Sequence, residues 1–136
     1  MIVDTSALIA ILNEEEGHET LFNALLNEPA FLPAPARLEF STVARNARFK
    51  FAEKIESFLN ELTESGMETL AWDARHASIA AEAQRRYGKG NGRGGVLNLL
   101  DLMVYAVAKE RGEALLFTGR DFTTTDVVVH PASRVA

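Results

Sequence analysis

Asp101 is the one charged residue in the apolar run VLNLLDLMVYAVA, residues 96–108. Burying a lone carboxylate is costly, so such a group must be neutralised, paired or bound to a cation. Three other acids stand next to short apolar runs: Asp4 after MIV, Glu39 within ARLEFSTVAR, and Asp121 just beyond ALLFT. If these four meet, the chemistry follows from their type. Carboxylates packed together raise one another's pKa and need shared protons or a cation. A set of oxygen ligands suits a hard divalent ion, Mg²⁺ or Mn²⁺. Such an ion activates water and stabilises charge on a phosphoryl group. No other constellation competes. There is no cysteine, and His18, His76 and His130 have no zinc-ligand spacing. The loop GKGNGRGG lacks the Gly-Lys-Ser/Thr ending of a phosphate loop. Each acid also has a purely structural reading: Asp4 or Asp101 as a helix N-cap, Glu39 as a solvated helix residue, Asp121 as a turn aspartate.

The elements that would bring the acids together alternate between strand and helix. MIVD reads as a strand ending at Asp4, and TSALIAIL as a helix capped by Thr5 or Ser6. Residues 14–27 read as an amphipathic helix with acids near its start, where the helix dipole favours them. A short strand around Phe31 and Leu32 is followed by helices over 36–49 and 51–64. METL is a third strand. Residues 73–87 form a helix with Asp73 as N-cap, and 88–95 are a glycine-rich loop. A helix over 98–111, apolar nearly all round, is expected to be buried on most faces. ALLFT and VVVH supply a fourth and a fifth strand. This alternation predicts an α/β sandwich with a mainly parallel sheet, in one domain spanning 1–136. In right-handed crossovers, helix N-termini gather at the edge where strands end. Asp4, Glu39, Asp101 and Asp121 all fall at that edge, where open α/β sheets bind ligands.

Composition narrows the function classes. The 136 residues are 47% hydrophobic, enough for one core. The absence of cysteine agrees with a reducing cytosol, and a cytoplasmic location is expected. The N-terminus has no basic region before its apolar residues and does not read as a signal peptide. No apolar stretch approaches the roughly 20 residues of a membrane span. A net charge of −5 argues against coating nucleic acid by charge alone. It is compatible with a nuclease whose acidic pocket is flanked by bases. Candidate bases are Arg37, Arg45, Arg48 and Lys50 on the helix of Glu39, and Arg85, Arg86, Lys89 and Arg93 in or beside the glycine loop. These bases also have a plain reading as ordinary solvated surface charges, but Lys89 and Arg93 sit on a flexible loop leading to Asp101 and are placed to close on a phosphate backbone. Leu8, Ile9, Leu12, Leu21, Phe22 and Leu25 exceed what a small sheet requires. Either part of them forms, with the helices in 36–64, a groove for a partner's amphipathic segment, or all of them are core.

Taken together, MIVDTSALIAIL, ARLEFSTVAR and LNLLDLMVYAVAKERGEALLFTGRDFTTTD resemble the PIN-domain ribonucleases, specifically the VapC-type toxins of toxin–antitoxin pairs. The resemblance covers essentially the whole chain. It implies a PIN-like three-layer α/β/α sandwich with a five-stranded parallel sheet. It also implies a Mg²⁺- or Mn²⁺-dependent endoribonuclease acting on structured RNA such as tRNA or rRNA, usually a homodimer, silenced by a VapB-type antitoxin. The family's acidic quartet falls on Asp4, Glu39, Asp101 and Asp121. Ser6 and Thr118 match positions that support the metal shell, and Asp126 an acid near a second metal position. The chain departs from the pattern at Leu99 and Leu100, where many relatives have Phe-Gly, and at Arg120, where relatives often have Asn or Asp. Leu100 beside the site bears on substrate geometry, and it sustains a second reading as a catalytically weak RNA- or antitoxin-binding module. An aspartate-nucleophile phosphotransfer domain is a third reading, but it wants an adjacent acid pair or Asp-x-Asp at strand one. The chain has VDTSA there.

Overall fold

Four short parallel strands stand in the order β3-β2-β1-β4: β1 (Ile2–Val3), β2 (Phe31–Pro33), β3 (Glu68–Leu70) and β4 (Leu115–Leu116). The computed structural model describes residues 1–44 and 52–135. Among the described residues six α-helices connect the strands: α1 (Thr5–Leu12), α2 (His18–Asn27), α3 (Ala34–Ala44), α4 (Ile55–Glu64), α5 (Ala74–Tyr87) and α6 (Leu99–Arg111). The chain moves from β1 outward to β3, then returns past β1 to β4. By the right-handed crossover rule, the helices of the outward path and those of the return cover opposite faces. The direction reverses between β1 and β4, so the crevice at their C-terminal ends is the topological switch point. Asp4 follows β1 there, and Thr118 to Asp121 follow β4.

β1, β2 and β4 are covered on both faces and read as continuous apolar runs, whereas the edge strand β3, ETL, is largely exposed. Ile2, Val3, Leu32, Leu115, Leu116 and Phe117 are fully buried. Leu8, Leu21, Phe40, Leu59 and Leu62 pack on them from the helices. α6 buries Leu102 and every residue from Val104 to Ala108, as its composition predicted. Gly112, at φ +63, ends it in the left-handed conformation that favours glycine.

Several expected boundaries shift. The fifth expected strand, VVVH, is not a strand. Leu115 N–H donates to Val128 O and His130 N–H to Leu115 O, forming a single bridge between Leu115 and Val129. Pro131 then lacks the N–H that a ladder needs, and the chain turns before bridging again from Arg134 to Thr118. The sheet among the described residues therefore has four strands. The helix expected over 14–27 starts at His18, because Glu14 and Gly17 adopt positive φ and the intervening acids lie in a turn. The helix expected from 36 begins at Ala34, with Pro35 in its first turn, where the missing N–H costs nothing. The helix expected over 51–64 begins as a 3-10 turn, Ala52–Lys54, and becomes α-helical at Ile55. Asp73 caps α5 as predicted, and His76 closes the capping box by accepting from the Asp73 N–H at 2.9 Å.

Candidate active site

Asp4 ends β1 and starts α1. It is 6% exposed, and its Oδ2 accepts from the Ser6 N–H at 3.0 Å and from Ser6 Oγ at 2.6 Å. It is therefore the N-cap of α1, so the structural reading of this acid holds alongside any chemical one. Ser6 Oγ also accepts the Thr118 N–H at 3.0 Å, which ties the loop after β4 to the residue orienting Asp4. On the other side, Thr5 Oγ1 donates to Ala36 O at 3.1 Å and fastens α1 to the first turn of α3, the helix of Glu39.

Asp101 is not the N-cap of α6. Asn98 is the cap, and Asp101 is its partner in a reciprocal box. The Asp101 N–H donates to Asn98 Oδ1 at 2.8 Å, and the Asn98 N–H donates to Asp101 Oδ2 at 3.1 Å. The box fixes the carboxylate at the helix mouth, half-buried.

One pocket of about 310 Å³ is lined by Asp4, Ser6, Glu39, Asp101 and Thr118, with Thr5, Ile9 and Val43 as walls and Glu15 at its margin. The acids feel one another. Burial pushes Asp4 up to about 6 against the opposing Ser6 hydrogen bonds, and Glu39 pushes it further. Burial pushes Asp101 up to about 7, with the Asn98 N–H opposing and Asp4, Asp121 and Glu39 adding to the rise. Asp121 opens a 3-10 turn, Asp121–Thr124, and is exposed. The four predicted acids thus meet electrostatically at one edge, three of them in the pocket wall.

Two of the remaining predicted residues are placed differently. Asp126 is engaged by Tyr105 and Lys109, further along α6. Leu100 does not line the acid pocket. It lines a neighbouring apolar hollow of about 400 Å³ with Pro35, Leu38, Thr42, Val43 and Met103, and Glu39 stands between the two. Glu39 and Val43 line both hollows. Among the candidate bases, Arg45, Arg48 and Lys50 lie outside the described residues. Lys89 and Arg93 are exposed and, among the described residues, form no ion pair. Their loop is closed rather than loose: Asn91 Oδ1 accepts from the Arg93 and Gly95 N–H groups, and Lys89 N–H donates to Leu97 O. Glu15 was not anticipated. It lies eleven residues beyond Asp4, and the turn after α1 returns it to the pocket; no periodicity signals that.

The donor set fits a divalent ion. Asp4 and Asp101 are both held well above the ordinary carboxylate range by burial and by like charge, and a bound cation relieves both. Hydroxyl and carboxylate oxygens are the ligands of hard cations. Among the described residues no three acids or histidines are arranged to enclose an ion directly.

Comparison with known proteins follows the same line. The family model of the PIN domain matches residues 1–128. Ribonuclease VapC42 of Mycobacterium tuberculosis is 40% identical over 129 residues, covering 93% of this chain and 96% of that protein. Ribonuclease VapC of Mycolicibacterium smegmatis is 37% identical over 129 residues, covering 93% and 97%. Among solved structures, VapC20 of Mycobacterium tuberculosis, described as a Sarcin-Ricin loop cleaving toxin, superposes with a TM-score of 0.73 at 18% identity, over 93% of this chain and 95% of that one. A chain of the FitAcB structure from Neisseria gonorrhoeae superposes at 0.68 and 20% identity, over 96% of each.

Proposed function

The chain belongs to the PIN-domain family and is a relative of the VapC ribonucleases, and from that premise we propose that it is a metal-dependent endoribonuclease, the toxin of a toxin–antitoxin pair. The observation that carries this reading is the pairing of Asp4 with Asp101. Two carboxylates from different elements are pushed up to about 6 and about 7 in one pocket at the sheet's switch point. Asp4 and Asp101 would hold Mg²⁺ or Mn²⁺, with Glu39 and Asp121 contributing directly or through water. When bound, the ion supplies an activated water and charge stabilisation for hydrolysis of an RNA phosphodiester. Ser6 keeps the Asp4 carboxylate turned into the pocket, and its link to Thr118 keeps the β4 loop beside it. Asn98 does the same for Asp101.

RNA enters past Lys89 and Arg93, whose charges are not neutralised by any acid among the described residues. Single-stranded loops of structured RNA such as tRNA or rRNA suit such a pocket, because their backbone is accessible. A VapB-type antitoxin is the second partner. A pocket of about 300 Å³ between α1, α2 and α4 has Ile11, Leu12, Phe22 and Phe58 at its base and His18, Lys54 and Glu61 on its rim. That is the form of groove that receives an amphipathic helix. The third partner is a second copy, meeting on the α3–α6 face where Leu38 and Leu99 are each 70% exposed.

The test is cleavage of RNA by wild type, Asp101→Asn and Asp4→Asn with Mg²⁺ or Mn²⁺ and after chelation. Asparagine is chosen at position 4 because it retains the N-cap that alanine would remove. Chelation and either substitution should abolish cleavage while the circular dichroism spectrum is unchanged. Cleavage that survives chelation, or full activity in either variant, overturns the reading.

A further inference from the structure

We propose that Asp126 is a positioning residue, clamped by Tyr105 and Lys109 so that the turn between β4 and the C-terminal segment presents Asp121 to Asp101. The inference rests on the acid pocket being the metal-dependent site proposed above.

Asp101, Tyr105 and Lys109 fall at i, i+4 and i+8 on α6, one stripe of the helix. Tyr105 Oη donates to Asp126 Oδ1 and Lys109 Nζ donates to Oδ2, each at 2.7 Å. Both carboxylate oxygens of Asp126 are thus taken by α6. The Lys109 and Tyr105 hydrogen bonds hold the carboxyl below its ordinary range. Tyr105 is 2% exposed and packs its ring 5.6 Å from that of Tyr87. A phenol buried to that degree needs a hydrogen-bond partner, and among the described residues that partner is Asp126.

The turn carrying Asp121 is a single bonded unit. Thr124 Oγ1 donates to Asp121 O, Thr125 Oγ1 to Phe122 O, and the Val127 N–H to Thr125 Oγ1. Phe122 anchors one side in the core, edge-on to Phe117 at 5.3 Å. Asp126 anchors the other side on α6. The Asp121 side chain makes no hydrogen bond or ion pair of its own among the described residues. Its distance from Asp101 is therefore set by the turn, and the Asp126 clamp fastens that turn to the helix on which Asp101 sits. This departs from the placement of Asp126 near a second metal.

The experiment measures Mn²⁺ affinity of the purified full chain by electron paramagnetic resonance. The variants are Tyr105→Phe, Asp126→Asn, Asp121→Asn and the Asp121→Asn/Asp126→Asn double, with backbone hydrogen exchange of residues 119–126 followed in parallel. Tyr105→Phe removes a hydrogen bond but no carboxylate. It should weaken Mn²⁺ binding severalfold and speed exchange in the turn. Asp126→Asn should weaken binding about tenfold, and should add nothing once Asp121 is already asparagine. Unchanged affinity in Tyr105→Phe, with an Asp126→Asn loss that adds fully to that of Asp121→Asn, would make Asp126 a ligand and end the proposal. A lowered thermal midpoint with unchanged affinity in both variants would reduce the clamp to a structural contact and likewise end it. If wild type binds no Mn²⁺, the function proposed above fails. The clamp is then judged by exchange alone, and unchanged protection of 119–126 in Tyr105→Phe refutes it.

Discussion

Asp4 illustrates how one side chain serves the fold and the site with opposing demands. As N-cap it stabilises α1, yet burial and Glu39 hold its carboxyl near 6, and Asp101 is held near 7. Both lie above the 3.8 of an unperturbed aspartate. The folded protein therefore keeps these protons to higher pH than the unfolded chain, and stability falls as pH rises between about 4 and 7. For Asp4 alone the loss is on the order of 2–3 kcal/mol. The metal-free protein should thus melt at lower temperature at pH 8 than at pH 5, and Mn²⁺ added at pH 8 should restore the difference. Asp73 and Asp126 are shifted downward, so their contribution is lost only as pH falls below about 4 and does not mask the trend. Asp4→Asn keeps a capping side chain and removes the charge, so it should flatten the pH slope and raise the melting temperature at pH 8. A melting temperature that climbs from pH 5 to pH 8 in the absence of metal would contradict this. The four acids were legible because each sits at a strand end or helix start, where crossover geometry sends it to one edge. Glu15 was not, because a left-handed turn returns it to the pocket. The clamp was half legible: the i, i+4, i+8 spacing of Asp101, Tyr105 and Lys109 is in the sequence, but nothing there says that Asp126 faces it.

At the level of elements, the connection between α5 and α6 is where the sequence suggested mobility and the structure shows a closed loop. Asn91 bridges Arg85 O on one side and the Arg93 and Gly95 N–H groups on the other. Gly95 passes so near Gly88 that a Cβ there would lie 2.2 Å from the Gly88 oxygen. The glycines therefore allow a tight closure that holds Lys89 and Arg93 outward. A fixed pair of cations unpaired with neighbouring acids is suited to phosphate contact. Replacing both with alanine should weaken binding of a non-cleaved RNA to the metal-free protein, and lower the slope of log affinity against log salt by roughly 1–2. An unchanged slope would remove this loop from the RNA path. Helix interiors were read well from apolar spacing, whereas their ends were not. α3 starts at Ala34, one residue before the Pro35 that suits a helix's first turn, and Glu14 to Glu16 left α2 for a turn. The fifth strand failed on one residue, since Pro131 breaks the ladder that the three preceding valines favour.

On the scale of the whole molecule, two of the places where the helices leave apolar surface uncovered differ in form. The hollow between α1, α2 and α4 is concave and rimmed by charge, the shape for a partner's helix. The shallow hollow between α3 and α6 is lined by Leu38, Leu100 and Met103, and Leu99 is exposed in the first turn of α6. Sequence could not separate these leucines from the core, because they occupy the same helices as Phe40 and Leu102 and differ only in direction. A self-complementary face across a two-fold axis suits leucines that protrude beside a hollow, each filling the other copy's recess. It would also place the two acid pockets near a common surface, since Glu39 borders both hollows. Every substitution in such an interface counts twice. Leu38→Asp with Leu99→Asp would set like charges against each other and against apolar surface, while disturbing no buried contact within one copy. Sedimentation should then show a dimer for wild type at micromolar concentration and a monomer for the double variant, with the melting temperature of the monomeric form nearly unchanged. A wild-type chain that sediments as a monomer throughout that range, or a double variant that still dimerises, would show that the second copy meets elsewhere or not at all.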